Sequence, residues 1–230
     1  MKPTVEGIMY PLNAKSAILS SGLASHTGPT LPSNTGSNWP AVWQVPHASW
    51  QRCKSVLDQT FSAISAFTAS CGKPSIIFLL APLHLGSVDF SNETLVYAPQ
   101  DSMLKGSDWM VQVTVPDKLR PLVRLDSDLV TEECSLEVCA PYLDMLFSGQ
   151  PVCYLLATAP APTPSVSAGF ATGRILDPSA PLHVGPISPS AGGVLGRIVE
   201  IIGTFPRPLI LVSNNAERQC AGMWIQALGE

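Results

Sequence analysis

Two histidines each follow a strand-like apolar segment, and their imidazoles are the side chains of this chain best suited to chemistry. His47 comes after the apolar segment 41–45 and a proline, and His84 comes after the apolar run 76–81, a proline and a leucine. Both imidazoles are predicted at the ends of neighbouring parallel strands, at the sheet edge where open α/β sheets hold ligands. Two histidines and a carboxylate form the facial site of non-haem iron oxygenases. The pattern indicates a shared metal site; the alternative is that each imidazole only makes hydrogen bonds within its own loop.

Glu217 is the nearest carboxylate that can complete such a two-histidine site. It follows the last apolar segment, 208–213, after Asn214 and Asn215. If that segment is a strand parallel to the other two, these polar residues share the sheet edge with the histidines. The alternative is that they only cap the final helix and lie at the surface.

Cys134 is a second candidate for a catalytic group or a metal ligand. It lies beside Glu132 and Glu133 at the expected start of a helix, where the helix N-terminus can stabilise a thiolate. Acidic residues are favoured in that turn whatever the function, and cysteines are commonly buried as small apolar residues. We favour the buried, apolar role for Cys134, and the reactive role stays open.

The remaining histidines have simpler interpretations. His26 lies in a Ser/Gly-rich stretch and is predicted to be solvated, and His183 stands at a strand start with a structural role. The chain contains no GxSxG motif of a serine hydrolase. Its Gly-rich segments lack the spacing of a phosphate-binding loop.

Apolar strands alternate with helical patterns along the chain. The run 76–81 has six consecutive residues without a polar group, which requires cover on both faces of the sheet. Helices are predicted from the spacing of apolar residues at 53–67, over 131–147 with Thr131 as cap and a kink or break at Pro141, from about 190 to 203, and over 214–230. Further strands are predicted over 41–45, 94–97, 110–115, 152–157, 182–187 and 208–213. The pattern indicates an α/β fold with a mostly parallel sheet.

Composition limits the classes of partner and the compartment. The 230 residues are 46% hydrophobic and 13% charged, which fits one domain over 1–230, with a Pro/Ala/Ser-rich loop insertion at 158–181. A net charge of −4 gives no basic surface for nucleic acid. No segment has the length of a membrane span, and the N-terminus lacks the apolar core of a signal peptide, so a cytoplasmic location is expected. The six scattered cysteines are predicted to be reduced.

Motifs along nearly the whole chain resemble those of one family, with 158–181 as an unmatched insertion. The most specific is EECSLEVCAPYL, which is similar to a Glu-His-Ser-Leu-Glu-x-x-x-Pro-Phe/Tyr-Leu pattern. The other matching segments, in order, are VEGIMYP, VPHASW, LLAPLHLGS, LHVGPIS and ILVSNNAERQ. The chain therefore resembles the Memo family, also known as protein B of the AmmeMemoRadiSam system. That family is related in fold to the class III extradiol dioxygenases of the protocatechuate 4,5-dioxygenase type.

The resemblance implies a three-layer αβα sandwich with a cleft lined by His47 and His84. It implies a divalent metal, iron or copper, and redox or oxygen-dependent chemistry. The chain departs from the family in the rest of the cleft. Cys134 stands where the family has histidine, Asn214 replaces aspartate, Ala216 replaces serine or cysteine, and Glu217 replaces histidine.

Two functions follow from these departures. The first is a metal-dependent oxidoreductase, dioxygenase-like, whose site uses Glu217 or Cys134 and whose activity is weakened. The second is a catalytically inactive scaffold that binds a small molecule or a peptide in the same cleft.

Overall fold

One mixed, mostly parallel sheet forms the centre of the structure. The computed structural model describes residues 1–22, 39–83, 94–158, 183–187 and 193–214, together with Trp224 and Leu228. The strands are Ala41–Pro46 (β1), Ile76–Pro82 (β2), Val96–Ala98 (β3), Ser102–Lys105 (β4), Met110–Val113 (β5), Arg124–Leu125 (β6), Val152–Ala157 (β7), His183–Val184 (β8) and Pro208–Asn214 (β9). Their order is β4-β5-β7-β2-β9-β1-β8, and β3 pairs with β6 and β7. The strands from β5 to β1 in this order are parallel, and β4 and β8 are antiparallel to their neighbours.

Helices pack on both faces of this sheet. They are Ala14–Ser20 (α1), Trp50–Cys71 (α2), Ser127–Thr131 (α3), Ser135–Phe147 (α4) and Gly193–Gly203 (α5). Ile18, Leu57 and Leu143, from α1, α2 and α4, belong to one buried apolar cluster. Ile198 of α5 and the indole of Trp224 belong to a second cluster on the other face. The predicted α/β class, with a mostly parallel sheet, is confirmed.

The local patterns that predicted the main elements are found in the structure. All seven residues of β2 are buried, as expected of a strand covered on both faces. β5 alternates exposed and buried residues, the pattern of a strand with one covered face. α2 ends at Gly72, whose φ of +87° suits glycine because that residue has no Cβ.

The position of β9 differs from expectation. β1 and β2 were predicted to be neighbours, but β9 lies between them and is parallel to both. The β1-α2-β2 crossover therefore passes over β9, the last strand in sequence among the described residues. Sequence order alone does not reveal such an insertion, because a crossover helix can span one strand or two.

The helix predicted over 131–147 is two helices. α3 ends at Thr131, and α4 begins after Cys134, which is its N-cap residue. Thr131 is therefore not the cap. Of the two outcomes predicted for Pro141, a kink or a break, the break is wrong, because α4 continues through that residue. Pro141 is buried, so tertiary packing rather than helix propensity determines the conformation at this residue.

Other predicted segments lie wholly or largely outside the described residues. They include the insertion 158–181 apart from Thr158, and the last helix apart from Trp224 and Leu228. Within the described ranges, no helix combines the length and the apolar character that crossing a bilayer requires.

A polar contact joins the two helices that follow the candidate site residues His47 and Cys134. The Tyr142 hydroxyl of α4 donates a hydrogen bond of 2.6 Å to the Asp58 carboxylate of α2. Asp58 also pairs with Lys54 at 2.7 Å. The ring of Tyr142 stacks on that of Phe61, with centroids 4.7 Å apart. The contact holds α2 and α4 side by side.

Tyr142→Phe should lower the free energy of unfolding by about 1–2 kcal/mol, since it removes a charge-assisted hydrogen bond and keeps the stacked ring. Asp58 retains Lys54 as its partner, which limits the loss. Urea denaturation monitored by tryptophan fluorescence measures the change. Tyr97→Phe is the matched control, because Tyr97 is 7% exposed and its hydroxyl has no hydrogen bond among the residues described. Equal losses in the two variants would contradict a specific role for the Tyr142–Asp58 bond.

Candidate functional site

His47 lies immediately beyond the carboxyl end of β1, and its side chain is almost completely buried. Only 4% of the residue is exposed. In the parallel pairing of β1 with β9, Val45 is opposite Ser213 and Pro46 is opposite Asn214. This register brings the Ser213 hydroxyl to 2.8 Å from Nδ1 of the His47 ring. The imidazole is therefore fixed to β9, which lies between β1 and β2 and is parallel to both.

The hydrogen bond to Ser213 determines which ring nitrogen of His47 would face a ligand. Ser213 is fully buried, so water does not compete for Nδ1 through this side of the ring. Either the ring nitrogen or the hydroxyl can donate in this pair. With Nδ1 engaged, Nε2 is the nitrogen through which His47 would bind a metal or contact a substrate.

Cys134 lies next to the backbone of His47. As the N-cap residue of α4, it has its Sγ 3.9 Å from the His47 carbonyl oxygen. A second thiol, that of Cys53 in α2, donates to the next carbonyl, Ala48, at 3.1 Å. The structure therefore places the Cys134 thiol beside the backbone of His47, and the contact is to the carbonyl oxygen rather than to the imidazole.

The electrostatic surroundings of Cys134 favour the thiol over the thiolate. Burial raises the pKa of Cys134 to about 11, and the negative charges of Glu133 and Glu137 add to the shift. The position at the helix N-terminus does not outweigh the effects of burial and of the two carboxylates. The reactive role predicted for Cys134 depended on a stabilised thiolate, so this role would need a base that removes the proton.

His84 and Glu217 lie outside the described residues, so their predicted roles stay predictions. In the chain, His84 is the second residue after the end of β2, and Glu217 is the third residue after the end of β9. The condition placed on Glu217, that the last strand be parallel, is confirmed. The ends of β1 and β2 flank β9, and two strand spacings separate them by about 10 Å. A metal shared by the two histidines would therefore lie across the end of β9.

The described residues alone do not make a metal site. In these parts of the chain, no three His, Cys, Asp or Glu side chains come together in a cluster able to hold a metal ion. A site with three protein ligands would need His84, Glu217 or both in addition to His47.

Several polar groups near the site were not singled out from the sequence. Ser213 is one, although it was visible as the only polar residue of the segment 208–213. Ser135 and Tyr154 are buried as well, both at 0% exposure, and Glu133, expected from the sequence as an acid at a helix start, is 5% exposed. Burial raises the pKa of Tyr154, and the neighbouring Ser135 side chain opposes that rise. A polar region therefore continues inward from Cys134 beneath the first turn of α4.

Two groups of residues near β1 have other roles. Trp43 and Trp50, which are 0% and 5% exposed, belong to the apolar core. β8 pairs residue 183 with Val42, near the start of β1, so His183 is remote from the edge that carries His47.

Comparisons with known proteins do not identify a family. No family model, no curated protein and no solved structure matches this chain. The resemblance to the Memo family is therefore carried by the sequence motifs.

Proposed function

We propose that this chain is a Memo-like protein that binds a divalent metal, iron or copper, at the carboxyl edge of β1, β9 and β2. His47 and His84 would be ligands, and Glu217 would supply the carboxylate. The observation that carries the proposal is the buried His47 ring, held 2.8 Å from Ser213 at this edge. Ligands of open α/β sheets bind at this edge. The related extradiol-dioxygenase-like fold belongs to the same proposal.

The surroundings of His47 suit a metal ligand. Histidines that bind metals almost always use the other ring nitrogen in a hydrogen bond that fixes the ring orientation. Here the Ser213 hydroxyl has that role toward Nδ1, and Nε2 would bind the ion. A bound iron or copper would supply redox or oxygen-dependent chemistry. His47 would hold the ion, and Ser213 would orient the ring.

Cys134 has a different place in this proposal. Its thiol is protonated at neutral pH, because its pKa is raised to about 11. Only about one thiol in ten thousand would be ionised at pH 7. Cys134 is therefore a poor nucleophile, and it would ligate a metal only if the metal displaced its proton.

The raised pKa of Cys134 favours a second candidate function, a catalytically inactive scaffold that binds a small molecule or a peptide. The matching family position is a histidine, which exchanges protons near neutral pH. Cys134 does not, given its raised pKa. Loss of this acid–base group would leave a buried imidazole that can still recognise a ligand by hydrogen bonding.

Metal analysis separates the two functions. Protein purified without chelators should contain stoichiometric iron or copper by inductively coupled plasma mass spectrometry. His47→Ala and His84→Ala should each lose it, because two ligands are too few to retain the ion. His183→Ala is the matched control and should keep the metal, since residue 183 pairs near the start of β1. A metal-free parent protein, or equal metal in all four proteins, would rule out the first function.

Ser213→Ala should weaken metal binding by about 10- to 100-fold, the usual cost of losing the hydrogen-bond partner of a ligating histidine. Isothermal titration of metal-free protein with Zn²⁺, a redox-inert probe, measures the affinity. Ser62→Ala serves as the control, because Ser62 is a buried serine of α2 about 18 Å along the helix from its start. If Ser213→Ala and Ser62→Ala bind Zn²⁺ equally well, Ser213 does not orient the ligand.

A further inference from the structure

We infer that the N-terminal segment 4–10 positions the two loops that carry His47 and Cys134, with Glu137 and Trp50 as positioning residues. The segment contacts the first turn of both helices that follow these loops. The consequence for metal binding rests on the proposed function, whereas the coupling between the segment and the two loops does not.

Glu137 fastens the segment to α4. It lies in the first turn of that helix and is 3% exposed. Its Oε1 accepts hydrogen bonds from the Thr4 amide at 2.7 Å and from the Thr4 hydroxyl at 2.9 Å. Its Oε2 accepts one from the Val5 amide at 3.0 Å. Both carboxylate oxygens thus bind another segment, three residues after Cys134.

Trp50 fastens the same segment to α2. It is the first residue of that helix, three residues after His47, and its backbone N–H donates to the Met9 carbonyl at 2.7 Å. Its indole N–H donates to the Val138 carbonyl of α4 at 3.0 Å. The Tyr10 ring packs against the Trp50 ring, with centroids 5.8 Å apart. One residue therefore joins the N-terminal segment, α2 and α4.

These contacts fix the carboxyl end of the short loop 47–49, where α2 begins. At its near end, the ring of His47 is held by Ser213, and its carbonyl oxygen faces the thiol of Cys134. Acidic residues are common at helix starts. That preference explains neither the burial of Glu137 nor its hydrogen bonds to a remote segment. Because both helix starts are held by the same seven residues, loosening 4–10 should alter how closely Cys134 approaches His47.

Glu137→Gln tests the coupling. The amide keeps the shape of the side chain, but its NH₂ group must face a backbone N–H of Thr4 or Val5, which replaces one hydrogen bond by donor–donor repulsion. Hydrogen exchange at 4–10 and at the Trp50 amide should rise by about tenfold or more, since hydrogen bonds to a charged group are stronger than those between neutral groups. Exchange in β2 and β9 should not change.

Two readouts report on the loops themselves. The rate of Cys134 alkylation by iodoacetamide, followed by peptide mass spectrometry, should rise in Glu137→Gln at constant pH. It should also rise in Thr4→Val, which loses a hydrogen bond to Glu137 but keeps the Glu137 charge that itself raises the pKa of Cys134. The NMR signals of the His47 imidazole should shift. Glu132→Gln is the matched control, since Glu132 is an exposed acid of the preceding turn and its substitution removes the same charge. It should leave all these readouts unchanged.

The outcomes separate a positioning role from simple stabilisation. Faster exchange at 4–10 with unchanged Cys134 alkylation and unchanged His47 signals would overturn the inference. If Glu137→Gln does not fold, Thr4→Val, which removes one hydroxyl, provides the same comparison with smaller effects. Zn²⁺ affinity should fall in Glu137→Gln. If the parent protein binds no Zn²⁺, the proposed function fails, and alkylation and exchange still decide the positioning role.

Discussion

The site depends on the parallel pairing of β9 with the two strands on either side of it. A strand with mostly apolar side chains is stable only when both faces are covered and its backbone groups are paired along both edges. β9 meets these conditions between β1 and β2, with apolar clusters above and below it. Its register with β1 then places a buried hydroxyl, Ser213, beside the imidazole of His47.

Local elements were predictable because their signals are local. The apolar run of β2, the alternation in β5 and the helical spacing in α2 each reflect burial on a known number of faces. The predictions that failed concern long-range choices. The last strand of the described chain inserts between the first two long strands, and α4 begins after Cys134. Neither choice has a local cause in the sequence.

The site was predictable in part for the same reason. A histidine after a buried strand was visible, and so was the edge at which it lies. Its partner Ser213 is 166 residues away, and Glu137 binds an amide 133 residues away. Such pairs depend on register and on helix placement, which propensities do not encode. The roles of His84 and Glu217 in metal binding stay predictions, as does the chemistry implied by the resemblance to the Memo family.

Burial has opposite consequences for the two candidate groups. For His47 it removes competing water, so that one hydrogen bond suffices to orient the ring. In Cys134 it opposes ionisation, and the carboxylates of Glu133 and Glu137 act in the same direction. The environment is therefore better suited to holding a ligand on an imidazole than to thiolate chemistry. The N-terminal segment contributes through the same helix, since Glu137 both binds it and lies near Cys134.

The central claim is that His47 binds a metal through Nε2 while Ser213 holds Nδ1. Its most direct test is the ¹⁵N NMR spectrum of the histidine side chains during addition of Zn²⁺ to the metal-free protein. The chain has four histidines, so assignment by single substitutions is practical. We predict that the Nε2 resonance of His47 moves strongly and saturates at one equivalent, while Nδ1 moves little. No change at either nitrogen, or a change centred on Nδ1, would contradict the account.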